Sequence, residues 1–261
     1  MGQVTRLETL ARIGFAARGI LYLLIGYAAL VTDRAKGSTQ VISDIDADGP
    51  GQWLLVLMGL GFLGYGLWRL FEAATDSEGN GDDAKGWAVR TGGLVSGLIH
   101  LGLCATALRL AFGNGEAGNN AAAAARWTLD LPGGNWLLIA AALALLLTGL
   151  FQLVEAVRLK FLKYIDAEAC RHAWVRWSGR IGHVARGIAF IVIAWLLWRA
   201  AMSEDVSRVG DWGAAIEAVP SGVRGLLAGG LALFGLFSFV QARYRRINDP
   251  RVLERLKAVA R

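Results

Sequence analysis

Arginine residues recur at a fixed spacing where polar sequence gives way to apolar sequence. Arg12 and Arg18 lie six positions apart, and so do Arg180 and Arg186. The planar guanidinium matches carboxylates and phosphates in a bidentate geometry, and an arginine within an apolar helix is a candidate for ligand contact. Arg18 and Arg186, the inner member of each pair, are therefore the first candidates for binding an organic anion such as a lipid headgroup or a fatty acid.

A third copy of this pattern carries two other polar residues on the same helical stripe. Ser96 occupies the position of Arg18 and Arg186, and His100 follows one turn later. His100 comes ten residues after Arg90, which corresponds to about 15 Å of helix in an apolar core roughly 30 Å thick. An ionisable group at that depth predicts a proton carrier or a donor to a ligand.

A neutral packing role is the alternative for His100. The residues at its position in the other two copies are Tyr22 and Phe190, both aromatic. An uncharged imidazole with one hydrogen bond would fit the same place. If His100 does contact a ligand, Ser96 and Arg69 complete the candidate ligand-binding set.

The arginines also have a structural interpretation, in which they form a ring of Arg–Glu pairs that fixes the helices in register. Burying a guanidinium without a partner is costly, so carboxylates at the same depth are expected. Arg69 and Glu72 are three residues apart and can pair within one helix. The predicted ion-pairing residues are Arg12, Arg18, Arg90, Arg180, Arg186, Glu72 and Glu155.

Motifs of known catalytic or cofactor chemistry are missing from the sequence. Ser96 and His100 are four residues apart but lack an acid to orient the histidine, so a membrane enzyme is the third-ranked function. Haem ligation would need a second histidine at depth. Cys104 and Cys170 have neither zinc-site spacing nor a plausible disulfide partner. We expect no cofactor and no metal.

The elements that position these residues are long apolar helices. The chain has 261 residues, of which 55% are hydrophobic and 18% charged. About 20 apolar residues span a bilayer, and only helices satisfy the backbone there without strand alternation. The sequence predicts an all-α membrane protein whose six spans lie at about 13–31, 53–71, 91–112, 136–157, 182–201 and 222–242.

The repeated arginine pattern divides these helices into three tandem hairpins. Because each repeat has two helices, all three insert in the same orientation, and an axis along the membrane normal relates them. A pseudo-threefold bundle is the simplest arrangement. The predicted units are repeat 1 (1–76), a cytoplasmic linker (77–86), repeat 2 (87–165), a basic connector (166–179), repeat 3 (180–247) and a basic tail (248–261).

Basic residues are distributed unevenly between the two sides of this arrangement. Of 27 Lys and Arg residues, 20 fall in the segments on the side of the termini. The positive-inside rule therefore places both termini in the cytoplasm. Arginines interleaved with aromatics between 158 and 177 predict contact with anionic lipids of the cytoplasmic leaflet, and nucleic acid is the less favoured partner.

The motifs together resemble a bacterial membrane family known as domain of unknown function 1206. The resemblance rests on Arg-x-Gly-x-x-x-Arg-Gly at 12–19 and 180–187, on Tyr65-Gly66-Leu67-Trp68-Arg69 and on the segment 241–247. It implies three two-helix repeats in the bacterial inner membrane and brings no activity with it. The sequence departs from the pattern at Ser96 and Gln241.

The function that these features favour is binding or transport of an amphipathic or anionic, lipid-like molecule between the repeats. Six basic residues near the repeat heads, against two glutamates, support this interpretation. The alternative is a structural or assembly protein of the membrane, whose ion pairs only hold the bundle together.

Overall fold

The computed structural model describes residues 2–31, 35–76, 81–113, 120–203, 205–207 and 209–245. Within these ranges the chain is helical, and an isolated β-bridge joins Ile165 to Arg245. The helices are α1 (Gly2–Val31), α2 (Ser38–Ser43), α3 (Pro50–Thr75), α4 (Ala84–Ala111), α5 (Asn120–Leu129), α6 (Gly134–Arg158), a 3-10 helix (Lys160–Tyr164), α7 (Ala167–Arg171), α8 (Ala173–Ser203), α9 (Trp212–Ala218) and α10 (Ser221–Tyr244).

Six of these helices are long and apolar enough to cross a membrane, as predicted. They are α1, α3, α4, α6, α8 and α10. Glycines with positive φ, Gly49 and Gly133, immediately precede α3 and α6. In the basic connector, α8 begins at Ala173. The helix extends this far because one of its faces buries Val175 and Ser178.

The six long helices form a ring in the order α1, α3, α4, α6, α8, α10. The most extensive interfaces join different repeats: α3 packs on α4, α6 on α8 and α10 on α1. Within a repeat, α1 packs on α3 and α8 on α10. The hairpin of the second repeat does not pack in this way, so the ring is open between α4 and α6. We call this opening the seam.

Each interface between repeats is a close crossing of two glycines. A Cβ added at Gly97 would lie 3.0 Å from the carbonyl oxygen of Gly66. The same construction at Gly187 meets the Gly149 carbonyl at 2.9 Å, and at Gly19 it meets the Gly235 carbonyl at 3.0 Å. Small residues let membrane helices approach to this distance. The three crossings occupy equivalent positions, which supports the pseudo-threefold arrangement.

A different set of glycines closes the hairpins of the first and third repeats. A Cβ on Gly14 would lie 2.5 Å from Cβ of Tyr65, and one on Gly182 would lie 2.7 Å from Cα of Phe234. The equivalent Gly92 of the second repeat has nothing within 4 Å. The contact that closes two hairpins is therefore not made across the seam.

Small-residue contacts next to these glycines explain why the second hairpin stays open. In the first repeat Gly61 packs on Ala17, and in the third repeat Gly230 packs on Ala185. In the second repeat Ala144 replaces this glycine and Val95 replaces this alanine. Val95 is 47% exposed, whereas Ala17 is 4% exposed. The larger side chains keep α4 and α6 from the close approach that the other hairpins make.

The short helices cover the two ends of the ring. The end that carries α2, α5 and α9 is called the distal end, and the end that carries the 3-10 helix and α7 is called the proximal end. At the distal end α2 and α9 bury Val41, Ile42, Ala215 and Ile216 in the core. At the proximal end Arg12 donates to the carbonyl of Ala242, 2.9 Å away, and ties α1 to α10.

The equivalent glycines allow a direct test of the seam. We expect Gly14→Ala and Gly182→Ala each to lower the free energy of unfolding by about 1–3 kcal/mol, because the new methyl group overpacks a closed hairpin. Gly92→Ala meets open space, so its stability stays the same or rises by up to about 1 kcal/mol through helix propensity. Thermal unfolding in detergent measures all three. A loss at Gly92 equal to the other two would mean that the seam is closed.

Candidate functional site

Arg18 lies in the interior of the ring, where α1 contacts both α3 and α10. The residue is 6% exposed. Its guanidinium donates to the hydroxyl of Tyr65 at 2.8 Å and to Oγ of Ser238 at 3.3 Å, and it also donates to the side-chain oxygen of Gln241. These three partners are neutral. Their dipoles solvate the positive charge of Arg18, but none of them is a carboxylate that would neutralise it.

Arg186 faces the same interior from α8 and is held mainly by aromatic rings. Its guanidinium carbon lies 4.3 Å from the centroid of Phe234 and 5.6 Å from that of Tyr22. The guanidinium of Arg18 lies 5.0 Å from the same Phe234 ring. Nε of Arg186 is buried and has no hydrogen-bond partner among the described residues. One phenyl ring thus contacts two interior cations.

The same three helix positions supply the polar residues at every crossing between repeats. They are Arg18, Ser238 and Gln241 where α1 meets α10; Ser96, Arg69 and Glu72 where α4 meets α3; and Arg186, Gln152 and Glu155 where α8 meets α6. Each crossing therefore carries one arginine, but only two carry a glutamate. Gln241 takes the place of the third glutamate, which leaves one more arginine than glutamate in this layer.

The α3–α4 crossing is the one whose charges pair as predicted. Arg69 forms a salt bridge with Glu72, which is fully buried. The pair sits against Gly93, where an added Cβ would lie 3.3 Å from a guanidinium nitrogen of Arg69. Ser96 leaves room here that an arginine would fill. At this crossing the serine of α4, Ser96, stands where the other repeats have an arginine, and α3 supplies the arginine instead, at Arg69.

The residues of the predicted Arg–Glu ring make several kinds of contact in the interior. Arg18 contacts neutral groups, among them Gln241 on α10, and Arg186 lies against the central rings. The carboxylate of Glu155 lies 4.0 Å from Nε2 of His183. The ring of Arg–Glu pairs stays a prediction.

The outer arginines of each repeat bind backbone or loop groups at the proximal end. Arg90 forms a salt bridge with Asp82 at 3.2 Å and donates to the carbonyl of Ala73. Arg180 donates to the carbonyl of Val157 at 3.4 Å. These bonds satisfy helix C-terminal carbonyls, which are otherwise unpaired. These arginines therefore connect neighbouring helices without reaching the interior layer.

His100 lies against Tyr65 at the inner edge of the seam. Its Nδ1 is 2.7 Å from the carbonyl oxygen of Ser96, and its ring centroid is 4.4 Å from that of Tyr65. Tyr65 in turn holds Arg18. The histidine therefore packs like an aromatic side chain one contact away from the candidate anion site.

Tyr65 is a site residue that the sequence analysis did not identify. Aromatic residues near helix ends often lie at the membrane surface, but Tyr65 and Trp68 are each only 5% exposed. Their rings pack on Phe15 at centroid distances of 5.4 and 5.5 Å. The helical stripe of Gly14 and Arg18 could have indicated this position, because Tyr65 contacts both residues.

Both ends of the interior layer are covered by aromatic side chains. Toward the distal end, Trp212 packs on Tyr22 at 5.1 Å and on Phe190 at 5.0 Å. Toward the proximal end, the guanidinium of Arg245 lies over Phe15 and Trp68, 5.1 and 5.2 Å from their centroids. The routes along the ring axis are thereby narrowed at both ends.

A cavity of about 550 Å³ lies elsewhere, at the distal end. Its lining includes Gly37 and Asp211 from loops and Glu217 from α9. Asp211 accepts a hydrogen bond from the backbone amide of Ser38 at 2.6 Å and so holds two loops together. Arg18, Arg186 and His100 do not line this cavity.

Comparison with known proteins decides the family. The model of the Domain of Unknown Function (DUF1206) matches three segments of the chain, 13–76, 91–158 and 181–245. The chain belongs to this family. It is also similar to "Uncharacterized protein YxxB" of Bacillus subtilis (strain 168), with 27% identity over 254 residues, which cover 93% of this chain and 92% of that protein. No solved structure matches the chain.

The three DUF1206 segments coincide with the three helical hairpins and make their differences easy to compare. Arg18 and Arg186 occupy the same position in the first and third segments, and Ser96 occupies it in the second. The candidate anion site of this DUF1206 protein is therefore built from two of its three repeats. The seam lies in the hairpin of the remaining segment, 91–158, which is the second repeat.

The Tyr65 hydroxyl offers a test of how Arg18 is held. We expect Tyr65→Phe to lower the free energy of unfolding by about 1–2 kcal/mol, the range for side-chain hydrogen bonds inside membranes. Tyr27→Phe is the matched control, because Tyr27 is 60% exposed. Thermal unfolding in detergent is the measurement. Equal melting temperatures for the two variants would show that the Arg18–Tyr65 bond does not stabilise the bundle.

Proposed function

We propose that this protein binds an anionic amphipathic molecule between its repeats and moves it in the membrane. The observation that carries the proposal is the pair of guanidinium groups, Arg18 and Arg186, on the shared ring of Phe234. The hydrogen-bond acceptors of Arg18 are neutral, and Arg186 contacts the aromatic rings of Tyr22 and Phe234. An anion between them supplies the missing negative charge.

The energetics of the membrane interior favour such a ligand. An arginine at the centre of a membrane helix costs about 2.5–3.5 kcal/mol on insertion scales. Neutral dipoles offset part of that cost, and a carboxylate or phosphate offsets more through charge-assisted, bidentate bonds. With Gln241 in place of a glutamate, the layer keeps a cation that an exogenous anion can neutralise.

A structural role is the second candidate, and the bonds of Arg18 favour it. One guanidinium connects α1 to α3 through Tyr65 and to α10 through Ser238 and Gln241. The Arg69–Glu72 pair likewise fixes a crossing. In this role the arginines hold the bundle together and bind no ligand, so retained ligand distinguishes the two candidates.

We further propose the bacterial inner membrane as the location, with both termini in the cytoplasm. The charge distribution supports this orientation, and so do the exposed Trp174 and Trp177 at the proximal end of α8. Tryptophans are enriched at membrane interfaces. Anionic lipids of the cytoplasmic leaflet are the proposed partners of the basic connector between α6 and α8.

The charge at Arg186 tests the binding proposal. We expect Arg186→Gln to reduce the anionic lipid that co-purifies with the protein roughly tenfold, which corresponds to about 1.4 kcal/mol of binding free energy. Native mass spectrometry in detergent measures it. The matched control is Arg199→Gln on the same helix, because Arg199 is exposed and stacks on Trp195. Unchanged lipid in Arg186→Gln, or no anionic ligand in the wild type, favours the structural role.

Cysteine labelling tests the orientation. We expect Asp48→Cys, in the exposed loop before α3, to react with a membrane-impermeant maleimide in intact cells. Asp82→Cys, in the exposed loop before α4, should react only after permeabilisation. Unsubstituted protein gives the baseline from Cys104 and Cys170. The reverse pattern would place the termini outside.

A further inference from the structure

We infer that the ligand is a membrane lipid that enters sideways, with its acyl chain in the seam between α4 and α6 and its anionic headgroup at Arg18 and Arg186. This inference rests on the proposed function and adds the ligand class and its route. It excludes a water-soluble anion that reaches the arginines along the axis of the ring.

The seam exposes side chains that the other two hairpins bury. Ile99 is 55% exposed, whereas its equivalents Leu21 and Ala189 are 2% and 0% exposed. On the opposite wall Ala141 is exposed, although its equivalent Met58 is buried. Both walls are apolar, so in a bilayer the seam is a surface for hydrocarbon and not for water.

The side chains at the inner edge of the seam are polar and small. In the first and third repeats the rings of Tyr65 and Phe234 fill the space between the two helices of the hairpin. Thr148 stands at this position in the second repeat, where Ser96 and His100 of α4 correspond to Arg18 and Tyr22. A side chain without a ring fills less of the space on this side of the arginine layer.

The open part of the seam extends over about two turns of α4. Gly92 has no atom within 4 Å of an added Cβ, and Ile99, seven residues later on the same face, is 55% exposed. Seven residues correspond to about 10 Å of helix. The seam can therefore accommodate part of an acyl chain while the headgroup lies at the arginine layer.

The two routes along the axis of the ring are more obstructed than the route through the seam. Trp212 with Tyr22 and Phe190 covers the distal side of the arginines. Arg245 over the rings of Phe15 and Trp68 covers the proximal side, and it places another cation there. A headgroup arriving through the seam meets Ser96, whose hydroxyl can donate a hydrogen bond to a phosphate oxygen. The hydroxyl of Thr148 already donates to the carbonyl of Ala144.

The experiment fills the seam with a tryptophan side chain and measures photocrosslinking of a lipid to the protein. Purified protein is reconstituted in phosphatidylcholine vesicles that contain a minor fraction of phosphatidylglycerol with a photoreactive diazirine on its acyl chain. We expect crosslinks on α4 and α6, and a roughly tenfold lower yield in Ala144→Trp. Ala140→Trp is the matched control on the same helix, because the equivalents Leu57 and Leu226 are 62% and 75% exposed.

Folding is checked by thermal unfolding, and Val95→Trp repeats the test from the opposite wall in case Ala144→Trp is unstable. Equal crosslinking of a phosphatidylcholine that carries the same diazirine would mean that the seam is an ordinary lipid-facing surface, which overturns the inference. Competition by soluble inorganic phosphate would overturn it in favour of a soluble anion.

The variants separate this inference from the proposed function. If Arg186→Gln loses the crosslink but neither seam variant does, the anion site stands and the sideways route is wrong. If Arg186→Gln and the seam variants all keep the crosslink, both proposals fail. Loss in Arg186→Gln and in the seam variants, but not in Ala140→Trp, is the result expected from a lipid that spans the seam and the arginine layer.

Discussion

The close approach of backbones at three glycine crossings is the constraint on which the rest of this fold depends. Helices in lipid gain nothing from burying apolar surface against one another, so they associate where small residues permit tight packing. Here the most extensive interfaces join neighbouring repeats, with glycine crossings such as Gly97 on Gly66. Contacts within a hairpin are close at single residues but cover less of each helix. A ring held in this way tolerates the loss of one hairpin interface, because each helix of the second repeat is anchored to another repeat.

The polar layer follows from the same crossings. Arg18 and Arg186 directly precede the crossing glycines Gly19 and Gly187. An arginine so close to a helix crossing has to find its partners in the interior. The sequence varies those partners from crossing to crossing, with Glu72 in one and Gln241 in another. A symmetric frame therefore produces an asymmetric distribution of charge, with Arg18 and Arg186 on one shared ring.

Length and hydropathy predict the six helices because the membrane interior penalises any unsatisfied backbone. The repeated motif likewise predicts the threefold relation. What these signals do not predict is which way each helix faces, because a helix that is apolar on all sides has no amphipathic stripe. Tyr65 illustrates this, since an aromatic near a helix end suits the membrane surface as well as the interior. For the same reason, the sequence does not predict whether Arg186 faces the interior or the lipid.

Two departures from the repeat affect the same layer of interior arginines. In the second repeat, Val95 and Thr148 replace the groups that close the other hairpins. In the third repeat, Gln241 replaces the glutamate that would neutralise Arg18. An open hairpin alone would be a lipid-facing surface, and an unmatched guanidinium alone would be a desolvated charge that weakens the fold. Together they place a cation behind an apolar opening, which is the arrangement that an anionic headgroup with a hydrocarbon tail complements.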